Sequence, residues 1–284
     1  MGIRDLMRPL QAWELLDPAS EWLSAKVNQV VGGGPLKSLL SGTWLGHPLH
    51  PVFTDLPIGA LTAVTVIDLL GGEESAGASN GLTILGLLAV APTAATGLSD
   101  WSDTVGPERR LGMIHALANV GASTLYLAAL LSRSGGNRTG ARLFSAAGLG
   151  VLGASGYIGG HLVFARGIGV DHTVFDEAPA DWTRVARADD VPTDTPLLAH
   201  AGAYGLLLHS HAGTVLAVAA RCSHAAGPLD EGEVDAELCV TCPWHGSRFR
   251  LTDGAVVGGP ATSPQPSFEV RIRDGNVEVR ARPR

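Results

Sequence analysis

Four long apolar segments occupy the middle of the chain and dominate its pattern of hydrophobic and polar positions. They lie at about residues 52–72, 81–99, 111–132 and 143–165, and the last three contain no Asp, Glu, Lys or Arg. Each approaches the roughly 20 residues that a helix needs to cross the hydrocarbon of a bilayer, whereas soluble helices are rarely apolar on every face over this length. The pattern predicts an all-α four-helix transmembrane bundle over residues 47–165, preceded by an N-terminal segment at residues 1–46.

The flanking segments have a different pattern. Within residues 1–46, Asp17-Pro18 supplies a cap and a first-turn proline, and Gly32-Gly33-Gly34 ends the predicted helix. The apolar residues of this helix share one face, which suits either a membrane surface or packing over the rest of the protein. Beyond a linker at residues 166–181, residues 182–284 read as short alternating strands separated by turns, which predicts a small antiparallel β domain.

Composition narrows the class of protein. Hydrophobic residues make up 45% of the 284 residues and the mean hydropathy is +0.20, so the first half must be unusually apolar. The net charge of −7 offers no basic surface for nucleic acid. Three cysteines exclude a framework of structural disulfides, and the first 16 residues lack the uninterrupted apolar core of a signal peptide.

The candidate chemistry is concentrated in two short stretches near the end of the chain. Cys222-Ser223-His224 is followed, after seventeen residues, by Cys242-Pro243-Trp244-His245. Two thiolates and two imidazoles predict a metal site, and they are the ligand set of a [2Fe-2S] cluster in which two histidines replace two cysteines on one iron. Zinc remains an alternative, because Cys239-x-x-Cys242 followed by His245 also has zinc-ligand spacing. Cys239, however, lies in an apolar run that predicts a strand with its thiol in the core.

The Cys-x-His and Cys-x-x-His-Gly-Ser motifs resemble those of a Rieske iron–sulfur domain, over about residues 182–284. The resemblance implies that Cys222 and Cys242 hold the inner iron and that His224 and His245 hold the outer, partner-facing iron. It also implies that Ser247 donates a hydrogen bond to cluster sulfur, which raises the reduction potential. Gly227 and Gly246 are expected to close the two loops.

Two features depart from the respiratory Rieske proteins that this resemblance includes. The loop cysteines that form a disulfide in those proteins correspond to Ala226 or Gly227 and to Trp244, and Phe249 replaces their tyrosine. The site therefore resembles the ferredoxin and oxygenase branch, and we expect a potential in the lower half of the roughly −150 to +300 mV Rieske range. The proline-rich residues 259–266 resemble the loop that covers the cluster, although an ordinary surface loop has the same composition.

A second resemblance begins at His47-Pro48-Leu49-His50-Pro51, which leads into the first apolar segment. This motif with three further apolar helices behind it is similar to a bacterial family of predicted four-helix membrane domains of unknown function. That resemblance implies a fold and no chemistry.

Several histidines lie at one end of the apolar segments, and ionisable residues inside a bilayer indicate function by default. His115 and His161 are predicted at matched depth on antiparallel neighbouring helices, where two imidazoles suit a b-type haem. A non-haem metal or a quinone bonded by His47, His50 or His115 is the second interpretation. The third is a polar network that fixes helix packing, with Asn119 one turn from His115.

These features together predict a bacterial multi-pass membrane protein that transfers one electron at a time between unidentified partners, either a redox protein or a quinone. In the predicted four-crossing topology, the side that carries the β domain has four basic residues, Lys37, Arg109, Arg110 and Arg166, and the other side has three. This small excess favours a cytoplasmic β domain. Whether the chain is an enzyme stays open, but a complete Rieske oxygenase is disfavoured, since its second iron site needs two histidines and a carboxylate that are placed on membrane helices here. The alternatives are a ferredoxin-like domain on an inert anchor and a zinc-stabilised binding or sensing module.

Overall fold

The computed structural model describes residues 3–282. Its helices are α1 (Met7–Gln11), α2 (Asp17–Val31), α3 (Pro35–Ser41), α4 (Leu49–Leu70), α5 (Ala76–Trp101), α6 (Gly106–Ser134) and α7 (Arg138–Phe164). Its strands are β1 (Thr183–Arg187), β2 (Leu197–Ala201), β3 (Tyr204–His211), β4 (Thr214–Ala219), β5 (Glu233–Val234), β6 (Cys239–Thr241), β7 (Arg248–Arg250), β8 (Val256–Gly258), β9 (Phe268–Arg273) and β10 (Asn276–Ala281). Helices followed by antiparallel strands confirm the predicted fold class.

The chain forms two compact units. The helical unit contains the residues up to Val30 and Leu49–Ile168, and the β unit contains Val31–Pro48 and the residues from Gly169 onward. The short segment Val31–Pro48 therefore belongs to the β unit, although it precedes every membrane helix in the sequence. The hydrophobic pattern gives no sign of this, because the segment contains only one short helix.

Helices α4 to α7 match the four predicted apolar segments. Each of these helices is long and apolar enough to cross a membrane, with lengths of 22, 26, 29 and 27 residues. Helices α5 and α6 extend beyond the predicted apolar segments at both ends, whereas α4 and α7 extend only at their starts. Gly106-Pro107, for example, begins α6 five residues before Leu111, with proline in the first turn, where its missing N–H costs no hydrogen bond.

The interior of the helical unit contains small polar residues beside apolar ones, and its exterior carries large apolar side chains. Its fully buried residues include Ser79, Thr83, Ser99, Ser145 and Ser155. Large apolar side chains face outward instead, for example Leu88 at 69%, Leu131 at 65% and Phe164 at 91% exposure. Small polar residues between helices and apolar residues around them are the arrangement that lipid favours, since lipid adds no hydrophobic drive for the helices to associate.

A buried ion pair joins α4 and α6. The guanidinium of Arg133 donates to both carboxylate oxygens of Asp68, with Nε–Oδ1 at 2.9 Å and Nη2–Oδ2 at 2.6 Å, and a third donor reaches Asn80. The side chains of Asp68 and Arg133 are 5% and 3% exposed. The Asp68 carboxylate, near the end of α4, is thus paired through both oxygens with Arg133. Removing either charge would leave the other buried without its counter-ion.

Helix α4 contains a proline whose lost hydrogen bond is replaced from the neighbouring helix. Pro57 has no N–H to donate to the carbonyl of Phe53, four residues earlier. That carbonyl accepts from the hydroxyl of Thr93 on α5 at 3.0 Å. Hydroxyl groups from neighbouring helices are one way in which prolines are tolerated where water is absent.

Helix α2 packs against the helical unit through its small polar face. The hydroxyl of Ser24 donates to the carbonyl of Ser102 at 2.9 Å, and the amide of Asn28 reaches the same oxygen. Trp22 and Val30 are 63% and 76% exposed. Of the two predicted roles for this helix, the exposure favours binding to a membrane surface, because packing over the protein would have covered the apolar face.

The β unit contains three small antiparallel sheets, with strand orders β1-β10-β9, β2-β3-β4 and β5-β6-β7-β8. The hairpin β9–β10 pairs Arg273 with Asn276 across the predicted turn. One apolar cluster centres on Leu206, Leu208 and Val277, and a second contains Leu207, Val218 and Phe249. Leu207 thus points to the opposite side of β3 from Leu206 and Leu208, as the twofold period of a strand requires.

Candidate metal centre

The two Cys/His stretches form loops with the same hydrogen-bonded frame. In the first loop the N–H of Cys222 donates to the carbonyl of Gly227 at 2.8 Å, and the N–H of Ala226 returns to the carbonyl of Cys222. In the second, the N–H of Cys242 donates to the carbonyl of Ser247 at 2.8 Å, and the N–H of Gly246 returns to Cys242. The equal frames give Cys222 and Cys242 equivalent positions, whereas the histidines follow them by two and three residues, respectively.

The residue that turns each loop occupies the fourth place after the cysteine. Ala226 has a φ of 62° and Gly246 a φ of 74°, the left-handed region that suits glycine. Gly227, which is expected to close the first loop, accepts the N–H of Cys222 with its carbonyl, and the left-handed position belongs to Ala226. Gly227 is required for another reason: a Cβ there would lie 2.9 Å from the sulfur of Cys242 and 3.1 Å from the Trp244 ring.

The two loop cysteines lie together in the interior. Cys222 and Cys242 are 1% and 3% exposed. A hydrogen bond from the Cys222 thiol, together with the backbone N–H groups of Trp244 and His245, lowers the pKa of Cys242 to about 6 despite its burial. The same contact with Cys242, and burial, raise the pKa of Cys222 far above its ordinary value. One proton shared by two sulfurs leaves a ready thiolate, the form that binds metals.

The rings of His224 and His245 face each other, and both residues are more exposed than the two loop cysteines. Their rings are 5.2 Å apart between centroids and nearly perpendicular. Burial, then the neighbouring His245, Lys37 and His172, lower the pKa of His224 to about 3. The imidazole is therefore neutral at physiological pH, which is the state required of a histidine ligand.

Ser247 and the proline-rich loop (residues 259–266) form the shell around the two cysteines. The hydroxyl of Ser247 accepts from the N–H of Ala261 at 3.0 Å, so its own hydrogen remains available for a further acceptor. The proline-rich loop also contacts the first Cys/His loop, since the Ser223 hydroxyl donates to the carbonyl of Ser263 at 2.9 Å. These contacts favour the covering loop over an ordinary surface loop.

Gln265 is a functional residue that the sequence analysis missed. It is 1% exposed, accepts from the N–H of Ser223 at 3.0 Å and donates to the carbonyls of Ala219 and Arg221. One amide thus holds three backbone groups at the entry to the first Cys/His loop. The sequence offers one signal for this role, which is an amide side chain within the proline-rich segment.

Cys239 belongs to the β6 strand, as predicted. Its sulfur donates to the carbonyl of Glu237 at 3.6 Å, and burial raises the pKa of its thiol. Cys242 shares its hydrogen bond with Cys222 and not with Cys239. The contacts therefore support the paired Cys/His loops over the zinc set that includes Cys239.

The donor set fits a [2Fe-2S] cluster. It offers two buried sulfur atoms, one of them a thiolate, and two imidazoles of which His224 is held neutral. Backbone N–H groups already point at both sulfurs: those of His224 and Ala225 at Cys222, and those of Trp244 and His245 at Cys242. Such hydrogen bonds to sulfur tune iron–sulfur potentials.

The histidines of the helical unit are engaged with polar neighbours. Nδ1 of His115 donates to the carbonyl of Ser155 at 2.9 Å, and Nε2 accepts from the amide of Asn119 at 3.1 Å. Nε2 of His161 lies 3.2 Å from the amide nitrogen of Gln11 on α1. These contacts favour the polar-network interpretation of the cluster. The haem at His115 and His161, and a quinone or metal at His47, His50 or His115, stay predictions.

Two histidines and a carboxylate also meet in the β unit. Ligand atoms of Asp194, His209 and His211 lie within 4.8 Å of one another. Two histidines and a carboxylate are therefore not confined to the membrane helices. Nδ1 of His211 is paired with Asp194 at 2.6 Å, however, so an ordinary ion pair accounts for two of the three groups.

A small antiparallel β domain that brings two Cys/His loops together defines the class of Rieske-type iron–sulfur proteins. Residues 181–269 match the family described as "Rieske [2Fe-2S] domain", and residues 46–172 match "Predicted membrane protein (DUF2231)". The chain belongs to the Rieske family by its β domain and carries a domain of the second family before it. Both resemblances are confirmed, and the first implies a [2Fe-2S] cluster.

Known relatives match the β domain. Ferredoxin CarAc of Metapseudomonas resinovorans is 30% identical over 34% of this chain and 92% of that protein. The cytochrome b6-f complex iron-sulfur subunit of Chlorobaculum tepidum is 32% identical over 34% of this chain and 51% of that protein. Among solved structures, the ferredoxin of carbazole 1,9a-dioxygenase from Nocardioides aromaticivorans IC177 is 26% identical over 36% of this chain and 98% of that chain, with a TM-score of 0.34.

Proposed function

We propose that this protein is a membrane-bound one-electron carrier whose [2Fe-2S] cluster is held by Cys222, Cys242, His224 and His245. The observation that carries the proposal is the matched pair of loops, which brings a buried sulfur pair and an imidazole pair together in a Rieske domain. When bound, such a cluster accepts and releases one electron at a time.

The different exposure of the four residues indicates from which side a partner reaches the cluster site. The cysteines are almost fully buried, whereas the histidines are partly exposed, so the imidazoles form the side that a partner reaches. Trp244 is 57% exposed, with its ring centroid 6.3 Å from that of His245. An exposed aromatic residue beside the imidazoles suits contact with a redox partner, because aromatic residues are enriched in interfaces.

The backbone and Ser247 set the electronic properties of the site. The Ser247 hydroxyl accepts from the N–H of Ala261, and its own hydrogen would be available to a bound cluster's sulfur, which would favour the electron-richer reduced state. The chain has no cysteines for a loop disulfide, and Phe249 supplies no hydroxyl. The potential therefore lies in the lower half of the Rieske range of about −150 to +300 mV.

The helical unit supports a location of this carrier in the cell membrane. Its four long apolar helices and its apolar exterior support four crossings, and the exposed apolar face of α2 supports contact with the lipid surface. The slight excess of basic residues favours the cytoplasmic side for the β unit. Relatives named as a ferredoxin and as a subunit of a cytochrome complex suggest a redox protein as the partner. The membrane location makes a quinone the alternative partner.

The helical unit serves either as part of the electron path or as an anchor for a ferredoxin-like domain. The satisfied hydrogen bonds of His115 support the anchor, because a haem ligand needs a free ring nitrogen. Replacing His115 and His161 together with alanine tests this. An anchor keeps its electron transfer rate, and a fall in that rate together with loss of sharp visible bands would establish the haem.

The proposed function is tested by electron counting. The full chain in detergent is reduced chemically, freed of reductant and mixed with an excess of oxidised cytochrome c or a soluble quinone. We expect one electron per chain, and none from a Cys242→Ser variant. Cys239→Ser is the matched control and transfers normally. Equal transfer from the Cys242→Ser variant and the unchanged chain would contradict the ligand assignment.

A further inference from the structure

A segment from the opposite end of the sequence contacts the proline-rich loop. Thr43 follows α3, and its hydroxyl donates to the carbonyl of Ala261 at 3.0 Å, across 218 positions of sequence. The hydroxyl of Ser38, on α3 itself, accepts from the N–H of Gly259 at 2.9 Å. Both contacts lie within the β unit, which contains Val31–Pro48.

The fit of this segment is close. A Cβ on Gly259 would overlap Thr43 Oγ1 and would lie 3.1 Å from the Cα of Ser38. Pro35 begins α3, and Gly42 ends it in the left-handed conformation with a φ of 82°, so the helix is bounded where the contacts require it. The segment therefore contains a helix with a defined first and last turn, and it packs closely against Gly259.

Ala261 connects Thr43 to the cysteine loops. Its carbonyl accepts from Thr43, and its N–H donates to the Ser247 hydroxyl at 3.0 Å. Ala261 and Ser247 are fully buried, with 0% exposure, so the hydrogen bond between them is shielded from water. A hydroxyl that accepts a fixed N–H has only limited directions left for its own hydrogen.

The same helix also brings a charge to the site. Lys37 lies on α3 and is 2% exposed, and its ammonium contributes to the lowered pKa of His224. This is a second, independent sign that the segment adjoins the Cys/His loops. The Rieske family match begins only at residue 181, so the segment is outside the part that defines the family.

We propose that Val31–Pro48 is a built-in part of the redox centre and that Thr43 is a positioning residue, which orients Ser247 toward cluster sulfur through Ala261. The inference rests on the proposed function. It assigns to a segment before the membrane helices a role in setting the reduction potential of a cluster near the other end of the chain.

The test is a double-mutant cycle on the full chain, read by potentiometric titration of the cluster's electron paramagnetic resonance signal. Thr43→Val removes the hydroxyl and keeps the side-chain shape, and Ser247→Ala removes the oriented group. We expect both changes to lower the midpoint potential. In the Ser247→Ala background, Thr43→Val has no further effect, because its influence passes through Ser247.

Two further variants separate positioning from general stability. Thr43→Ser keeps a hydroxyl at the same position and is expected to retain the original potential. Ser38→Ala removes the neighbouring contact of the same segment without touching Ala261, and it is expected to shift the potential less than Thr43→Val. If Thr43→Val fails to fold, the Thr43→Ser and Ser247→Ala variants, compared by their potentials and signal shapes, decide the question.

Any one of three results would overturn the inference. The two shifts add in the double variant, Thr43→Val leaves the potential unchanged, or Thr43→Ser shifts the potential as far as Ser247→Ala does. Failure of the proposed function looks different, since the unchanged chain would then show no [2Fe-2S] signal at all.

Discussion

The loop frame predicts a sharp difference between two glycines that flank the metal centre. Gly227→Ala and Gly246→Ala add the same methyl group, one to each Cys/His loop. A Cβ on Gly227 would lie 2.9 Å from Cys242 Sγ, whereas ordinary contacts begin at 3.4 Å. A Cβ on Gly246 meets no atom within 4 Å, and the cost there comes only from its φ of 74°.

The magnitudes decide which substitution removes the cluster. Relieving the contact at Gly227 requires a shift of about 0.5 Å in Cys242 or in the loop, the difference between 3.4 and 2.9 Å. Metal ligands hold their distances within about 0.2 Å, so the sulfur would leave its bonding position. Overpacking adds about 1–3 kcal/mol of destabilisation. Left-handed strain at Gly246 costs about 1–2 kcal/mol and moves no ligand atom.

The assay is iron and sulfide content per chain, with the visible absorption of the cluster and thermal unfolding measured on the same samples. Gly227→Ala is expected to lose most of its cluster, and Gly246→Ala to keep its cluster with a lower unfolding temperature. Ala226→Gly, which relieves a left-handed alanine, serves as the benign change in the first loop. Full cluster content in Gly227→Ala, or equal losses in both glycine variants, would refute the reasoning.

Three further predictions follow from the same structure. In the metal-free chain carrying Cys239→Ser, ultraviolet thiolate absorbance is expected to fall as the pH drops through about 6, because the pKa of Cys242 lies there; a flat signal from pH 7.5 to 5 would contradict the shared proton. Asp68→Asn should destabilise the detergent-solubilised chain by about 3–5 kcal/mol, and Arg133→Met added to it should restore much of that loss; no recovery in thermal unfolding would argue against the buried pair. A potentiometric titration should give a midpoint in the lower half of the range of about −150 to +300 mV, and a value near the top would place the site with the respiratory proteins.

The sequence was sufficient for the architecture because its strongest signals are local. Long runs without Asp, Glu, Lys or Arg fit only buried or lipid-facing helices. The ligand spacing of each Cys/His motif lies within six residues. The strand containing Cys239 was predicted from the apolar run in which that residue lies. These features need no knowledge of distant contacts.

What the sequence could not predict depends on contacts across the chain. The pairing of Asp68 with Arg133 joins residues 65 positions apart, and the contact of Thr43 with Ala261 joins residues 218 positions apart. The left-handed turn at Ala226 has no signal in the sequence, and the close approach of the Cys242 sulfur to Gly227 depends on the contact between the two loops. Gln265 was missed because its partners are backbone groups, which leave no trace in side-chain patterns.

The central claim is that two Cys/His loops hold a pair of irons in a membrane-bound chain. Its most direct test is low-temperature electron paramagnetic resonance of the purified full chain after reduction, with iron, sulfide and zinc measured on the same sample. The account predicts two irons and two sulfides per chain and a Rieske-type [2Fe-2S] signal that disappears on oxidation. Stoichiometric zinc without that signal would contradict it.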